Sequence, residues 1–291
     1  MEIFFAQMIC GLACGSIYAL LVTGFNLLLV VTGAFYFAFP HVVVMCMYIC
    51  WMVIEKAGGN LFLGIISAVF SGIGISIISE PIFRPLTRRG AAIGTFIISM
   101  GIAMIIQDPM ARVINEGIPI GFPAALSGKE ALIQRGVITV TLGQIFTIVG
   151  SIIAVVVFMY LLYRTKSGKA FRSMAQNLTV ARILGIPITK MSIYCYLIAG
   201  ILGGISSVFL AMSLGAASST LGDMLALKVI AAALLAGLGN LKGGLIAAIF
   251  LGLVEAFVLG YLPGDWSNAV AFAIIIGVVM TKPEGLFGVK A

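Results

Sequence analysis

The sequence predicts an all-α protein that crosses a membrane many times, and three observations support this class. Of the 291 residues, 62% are apolar and only 9% are charged, whereas soluble domains carry about 25% charged residues. The apolar residues form long runs, and residues 3–54 contain no Asp, Glu, Lys or Arg. Because a spanning helix needs about 20 apolar residues and a barrel strand only about 10, runs of this length indicate helices. The composition excludes a soluble enzyme, a disordered chain and a disulfide-rich scaffold.

The first charge-free run is longer than two bilayer crossings and shorter than three. Its 52 residues make about 78 Å of helix. Pro40 lacks a backbone donor and Gly33 loosens the preceding helix, so we expect one full span followed by a second that is broken near residues 33–41. Three short spans are the alternative. Further crossings are expected near residues 57–79, 91–108, 138–163, 191–213, 222–239, 243–262 and 266–281, which gives about nine spans (eight to ten) in a single domain, 1–291.

Basic residues are distributed unequally between the two sides of these spans. Twelve lie on one side, which we call the basic face, and four lie on the other. Because cytoplasmic loops carry the excess of Lys and Arg, the basic face and the C-terminus are predicted to be cytoplasmic. The net charge of +7 is thereby explained without a nucleic-acid partner. The basic-face residues are Arg84, Arg88, Arg89, Arg164, Lys166, Lys169, Arg172, Arg182, Lys190, Lys242, Lys282 and Lys290, and the others are Lys56, Arg112, Lys129 and Arg135.

Motifs of catalysis and metal binding are absent from the sequence. It has no G-x-x-x-x-G-K-[ST] motif for nucleotide binding, and His41 is its only histidine. The pairs Cys10/Cys14 and Cys46/Cys50 each share one helix face, but a metal site would need more ligands nearby, so packing between helices is the better interpretation. We therefore predict no catalytic residue, no metal and no cofactor in this chain.

Residues 164–190 form the largest loop of the basic face, and their sequence predicts two short helices. Ser167 is a candidate N-cap of the first, and Asn177 or Thr179 of the second, which Gly185 and Pro187 would end. The second helix would present three apolar residues on one side, beside Arg182. Such a helix suits a groove on a cytoplasmic partner, and the alternative is a solvated loop that only enforces topology. The apolar residues are Val180, Ile183 and Leu184.

Two charged residues are predicted to lie at membrane depth, where charge is costly. Lys228 and Glu255 flank a tight turn near residue 240, and counting along each helix places them within about 3 Å in depth. We expect them to pair between adjacent helices, more as structure than as substrate contacts. The other pathway candidates, for each of which helix packing is the competing interpretation, are Asn26, Thr32, Phe37, Phe39, His41, Thr95, Ser99 and Gln107.

Five segments, in order along the whole chain, resemble branched-chain amino acid ABC-importer permeases. Residues 164–187 are similar to that family's R-T-x-x-G-x-A-x-R-A loop. One departure concerns residues 36–41, Tyr-Phe-Ala-Phe-Pro-His, where the family usually has N-[FM]-A-H-G. The other matching segments are Glu80–Leu86, Ile93–Gln107, Leu227–Asn240 and Pro283–Gly288.

The resemblance implies a permease subunit of a bacterial ABC importer in the inner membrane, working by alternating access. Its partners would be a second homologous permease chain, two cytoplasmic P-loop ATPase subunits that bind the ATP, and an extracytoplasmic solute-binding protein. Branched-chain amino acids are the implied solute; urea or short amides, or an ATP-independent channel or secondary transporter, are the alternatives. Within the coupling loop, 164–190, the residues implied to contact the ATPases are Arg172, Ala175, Val180, Ala181, Arg182, Ile183, Leu184 and Gly185.

Overall fold

The computed structural model describes residues 2–123, 126, 131–135, 138–261, 263, 266–282 and 285–287. Within these ranges the chain forms eleven α-helices and four short strands. The helices are α1 (Glu2–Thr32), α2 (Phe39–Trp51, extended by a π-helical turn, Met52–Lys56), α3 (Leu61–Arg88), α4 (Ala92–Arg112), α5 (Leu142–Arg164), α6 (Lys166–Gln176), α7 (Leu178–Ile183), α8 (Ile188–Leu214), α9 (Leu221–Ala236), α10 (Leu241–Tyr261) and α11 (Trp266–Thr281). The strands are β1 (Ile120–Gly121), β2 (Ala131–Arg135), β3 (Ile138–Thr141) and β4 (Ala216–Ala217). Lys129, Pro283, Glu284, Gly288 and Lys290, which enter the charge count or the motifs above, lie outside the described residues.

The predicted class, an all-α protein with many membrane spans, is confirmed. In the part of the chain that the structure describes, seven helices are long and apolar enough to cross a bilayer. Helices α9 and α11 have 16 residues each, which corresponds to about 24 Å. These nine helices agree with the expected number of about nine.

The first charge-free run folds as two helices with a non-helical break between them. Helix α1 ends at Thr32, Gly33 adopts a left-handed φ of 70°, and α2 begins at Phe39. Pro40 lies in the first turn of α2, where a missing donor costs nothing because that amide has no intrahelical partner. The break, residues 33–38, therefore precedes the second span instead of interrupting it.

Two predicted spans have different boundaries in the structure. Helix α5 begins at Leu142, not at residue 138, because residues 138–141 pair with β2 as β3. Thr141 then caps α5, since its hydroxyl accepts from the Gln144 amide while the Gln144 side chain accepts from the Thr141 amide. Helix α3 continues past residue 79 to Arg88. Within this added length, Glu80 forms an ion pair with Arg84, one turn later.

Glycine contacts bring the central helices unusually close together. A Cβ on Gly252 of α10 would lie 2.3 Å from the Gly15 nitrogen of α1, and a Cβ on Gly200 of α8 would lie 2.5 Å from the Gly72 oxygen of α3. Small residues permit this approach of backbones in membranes. The most apolar part of α1 is 83% buried, whereas the corresponding parts of α3, α4 and α5 are only 22% buried. The core lies around α1, and α3–α5 supply the outer apolar surface.

A short antiparallel ladder closes the side opposite the basic face. Ile120 of β1 pairs with Ala217 of β4, and Gly121 pairs with Ala216. The ladder ties the segment after α4 to the segment between α8 and α9. It therefore fixes the start of α9 relative to the end of α4.

Candidate functional site

The break is held by two hydroxyl groups of α4. The Phe35 amide donates to Thr95 Oγ1 at 3.3 Å, and the Ala38 amide donates to Ser99 Oγ at 2.7 Å. Non-helical backbone at membrane depth needs such partners because lipid supplies none. Thr95 and Ser99, two of the predicted pathway residues, thus anchor the break to α4.

The aromatic residues around the break divide into two groups. Tyr36 and Phe39 are fully buried, and the Phe39 ring packs between α1 and α8. Phe35 and Phe37 are half-buried, and their ring centroids lie 5.4 and 5.8 Å from that of Phe96 on α4. Of the two aromatic pathway candidates, Phe37 therefore lies at the α2–α4 interface and Phe39 lies in the core.

Three helices contribute one polar side chain each to a cluster that we call the carboxylate site: His41, Gln107 and Asp223. His41 is fully buried, and its Nε2 lies 2.9 Å from Asp223 Oδ1. The Gln107 amide donates to Asp223 Oδ2 at 2.8 Å. The Phe37 and His41 ring centroids are 5.9 Å apart. Sequence reasoning missed Asp223 as a site residue because it stands at the edge of a predicted crossing. The available signal was an acid in the first turn of a predominantly apolar helix.

Lys228 and Glu255 meet where the depth estimate predicts. Lys228 Nζ lies 2.5 Å from Glu255 Oε1, and their side chains are only 16% and 11% exposed. Tyr18 of α1 completes the cluster, since its hydroxyl donates to Glu255 Oε2 at 2.8 Å and accepts from Lys228 Nζ at 3.3 Å. This buried cluster lies between α1, α9 and α10, whereas the break lies between α1 and α2 and is anchored to α4. Tyr18 was not predicted, because its partners Glu255 and Lys228 lie 237 and 210 residues later in the chain.

Asn26, another pathway candidate, lies apart from the residues around the break. It is fully buried in α1, and a Cβ on Gly244 of α10 would lie 2.9 Å from its Nδ2. Among the described residues neither of its side-chain polar atoms has a hydrogen-bond partner. The structure thus brings together His41, Phe37, Thr95 and Ser99, pairs Lys228 with Glu255 elsewhere, and leaves Asn26 at the α1–α10 contact.

The loop between α5 and α8 contains the two predicted short helices, α6 and α7. Thr165, not Ser167, caps α6, because its hydroxyl accepts from the Gly168 amide three positions later. Asn177 caps α7 by accepting from the amides of residues 179 and 180. Gly185 ends α7 with a left-handed φ of 76°, as expected for the residue after a helix C-cap.

Helix α7 carries an exposed apolar surface. Val180, Ile183 and Leu184 are 48%, 79% and 70% exposed, beside the exposed Arg182, while Ala181 is fully buried. Large apolar side chains on an otherwise polar loop are typical of an interaction surface. The predicted contact residues of α7 are therefore available, with the exception of Ala181.

Arg172 and Ala175 of α6 line a groove of about 840 Å³ instead. The Arg172 guanidinium and the Lys242 ammonium each lie 5.2 Å from the centroid of the Tyr163 ring. Such cation–π contacts hold α6 against the end of α5 and the α9–α10 turn. Arg172 thus ties α6 to the end of α5, and the contact of Arg172 and Ala175 with the ATPases stays a prediction.

The described residues contain no group of three or more His, Cys, Asp or Glu side chains that would suit a metal ion. All five cysteines are unpaired thiols, and Cys46 and Cys50 are buried. Cys46 lies close to Gly72 of α3, and Cys50 lies close to Gly64 of the same helix. Packing between α2 and α3 accounts for this pair.

Comparison with known proteins identifies the family. A family model described as "Branched-chain amino acid transport system / permease component" matches residues 7–279. The high-affinity branched-chain amino acid transport system permease protein LivH of Escherichia coli K12 is 25% identical over 98% of this chain and 96% of its own length. The autoinducer 2 import system permease protein LsrC of Enterobacter sp. strain 638 is 28% identical, over 55% of this chain and 47% of its own length.

A solved structure gives the same result for the fold. PsaBC from Streptococcus pneumoniae in complex with Fab matches with a TM-score of 0.50 and 14% identity, over 98% of this chain and 93% of that chain. Because the family model spans nearly the whole chain, the protein belongs to the branched-chain amino acid transport permeases, which are multi-pass inner-membrane components of ABC importers.

Proposed function

We propose that this chain moves branched-chain amino acids inward by alternating access, driven by ATPase subunits on separate chains. The basic face and the C-terminus are then cytoplasmic, and the carboxylate site lies toward the outer side. A second homologous permease chain completes the pathway, and an extracytoplasmic binding protein delivers the solute. The observation that carries the proposal is the exposed apolar surface of α7, on the face that the charge distribution assigns to the cytoplasm.

The coupling loop is proposed as the docking site for the ATPases. Helix α7 offers Val180, Ile183 and Leu184 to a groove, with Arg182 at its edge. A short amphipathic helix in a groove is a recurrent mode of protein recognition. Because α7 is capped at Asn177 and Gly185, it is a defined helix that can transmit movement of the ATPases to the membrane spans. A solvated loop does not do this.

The contacts beneath the loop supply a route to the break. A small cavity between α1, α3, α6 and α8 is lined by Thr32, Glu80 and Met174, among others. Glu80 is buried and paired with Arg84, so the cavity has one ion pair among mainly apolar walls. Thr32 is the last residue of α1, directly before the break. We expect movement of α6 and α7 to reach the break through the side chains that line this cavity.

The solute class is supported by the family description and by the similarity to LivH along nearly the whole chain. The partial similarity to LsrC favours a second candidate, a small sugar-like solute such as autoinducer 2. Urea or short amides, and transport without ATP, are further alternatives. Uptake of radiolabelled leucine, urea and autoinducer 2 by proteoliposomes, with and without internal ATP, separates these possibilities.

Copurification from native membranes tests the coupling loop. A tagged chain is expected to bring down a P-loop ATPase in stoichiometric amount, and replacement of Val180, Arg182 and Ile183 by serine together is expected to remove it. The matched control is Lys169→Ala, an exposed residue of the same loop on α6, which should retain the ATPase. Recovery of this chain alone, in a form that transports without ATP, would contradict the proposal.

A further inference from the structure

Asp223 is an anion without a permanent countercharge. Its side chain is half exposed, and among the described residues its one ion-pair partner is His41, which is charged only when protonated. No Lys or Arg in the described part of the chain approaches the Asp223 carboxylate within ion-pair distance. An acid in such an apolar chain is costly unless water or a cation meets it.

The neighbouring side chains fix the direction in which this carboxylate points. Each of its oxygens already accepts one donor, Oδ1 from His41 Nε2 (in the tautomer that carries its proton there) and Oδ2 from the Gln107 amide. A carboxylate oxygen can accept a second hydrogen bond, and the exposed half of the group leaves room for it. His41 and Gln107 thus hold the group from the protein side and leave its open side to a ligand.

Apolar rings adjoin the same site. Phe37 stacks near His41 and contacts Phe96, and both rings are half-buried. The break and α4 therefore present an aromatic surface beside His41, the residue that contacts the carboxylate. A solute with a cationic group and a short apolar side chain matches this pattern, whereas urea or a sugar-like solute lacks the cation.

The ordinary structural role of Asp223 accounts for only part of this arrangement. An acid in the first turn of a helix interacts favourably with the helix dipole, and Asp223 occupies that position in α9. That role needs neither a buried histidine nor a glutamine from another helix. His41 is fully buried against the carboxylate, and its Nδ1 has no hydrogen-bond partner among the described residues. Burying a polar ring in this way is costly, so the helix dipole alone does not account for the arrangement.

We propose that Asp223 receives the ammonium group of an amino acid solute, with His41 and Gln107 as positioning residues. The proposal rests on the proposed function, because it places this contact in the outer half of the same pathway. Phe37 and Phe96 would then lie against the solute side chain. Asp223 becomes the residue that separates amino acids from uncharged solutes of similar size.

Equilibrium binding of radiolabelled leucine to the importer complex, purified through this chain and without its binding protein, tests the proposal. Asp223→Asn keeps the shape and one acceptor oxygen but removes the charge, so leucine binding should weaken about tenfold or more. Asp223→Glu, which retains the charge, should bind more tightly than Asp223→Asn. The matched control is Asp108→Asn, an exposed acid near the end of α4 that pairs with Arg112, and it should bind leucine normally.

Competition on the wild-type complex tests the same idea without a variant that has to fold. 3-Methylbutylamine, which is leucine without its carboxylate, should displace leucine. 4-Methylpentanoate, which lacks the ammonium group, should not. Equal competition by the two compounds, normal leucine binding by Asp223→Asn, or no leucine binding by the wild type would each overturn the inference. ATP-driven leucine uptake with the binding protein present tests the proposed function separately, and its absence would overturn both.

Discussion

Helix α9 carries two charged side chains that meet very different surroundings. Lys228 is enclosed with Glu255 and Tyr18, and each of the three polar groups has its partners inside the protein. Asp223 is half exposed and keeps free acceptor capacity. The two residues are five positions apart, which turns the helix by about 140°, so they lie on different faces of α9.

We call the contact around Lys228, Glu255 and Tyr18 the closed seam, and the contact around Asp223, His41 and Gln107 the open seam. The closed seam joins α9 to α1 and α10, where the backbones of Gly15 and Gly252 touch. The open seam joins α9 to α2 and α4, next to the break and its half-buried rings. Fully satisfied polar groups and close backbones suit a rigid scaffold, whereas non-helical backbone and an open carboxylate suit a part that moves or binds. Substitutions in the closed seam should therefore act on stability, and those in the open seam on transport.

The largest effect is expected from breaking the ion pair of the closed seam on one side. Lys228→Met leaves the Glu255 charge buried, and removing one partner of a buried pair costs about 3–5 kcal/mol. Lys228→Met with Glu255→Gln should cost less than the sum of the two single changes. The unfolding free energy in mixed micelles, measured for the four members of the cycle, checks this. Lys190→Met, an exposed lysine of α8, is the control for loss of charge, and zero coupling in the cycle would show that the two residues do not act as a pair.

A smaller loss is expected from Gly252→Ala. The added Cβ would meet the Gly15 nitrogen and Cα at 2.3 and 2.4 Å, and backbone cannot move aside as a side chain can. Overpacking of this kind costs about 1–3 kcal/mol, and contact with backbone places this case near the upper end. Gly74→Ala on α3 meets nothing within 4 Å and should be neutral or slightly stabilising. Equal unfolding free energies for the two variants would show that the α1–α10 contact is looser than described.

The features of the closed seam that could be predicted from the sequence are those set by local counting. Charge-free runs define the helices, and a constant rise per residue on both sides of the turn near residue 240 places Lys228 and Glu255 at one depth. Tyr18 and the Gly15–Gly252 contact join segments more than 200 residues apart, and helix counting carries no information about which distant helices touch.

Less of the open seam could be predicted from the sequence, for a different reason. Gly33 and Pro40 mark the break, since each removes a specific feature of the helix, and His41 was singled out as the only histidine. Asp223 stands at a helix start, where acids are common for reasons of capping and dipole. Its importance depends on the two side chains that surround it, and these become neighbours only through the packing of α2 and α4 on α9.

The smallest effect on stability is expected at the anchor of the break. Ser99→Ala leaves the buried Ala38 amide without its acceptor, and an unsatisfied donor costs about 1–3 kcal/mol; the non-helical backbone can shift, which places this case near the lower end. Ser76→Ala is the matched control, because the buried Ser76 hydroxyl has no hydrogen-bond partner among the described residues. ATP-driven leucine uptake at equal protein levels is the decisive measurement. If uptake falls in Ser99→Ala and not in Ser76→Ala, the position of the break matters for transport. Equal uptake by the two variants would assign the break, like the buried pair, to the static scaffold, and the distinction between the two seams would then depend on Asp223 alone.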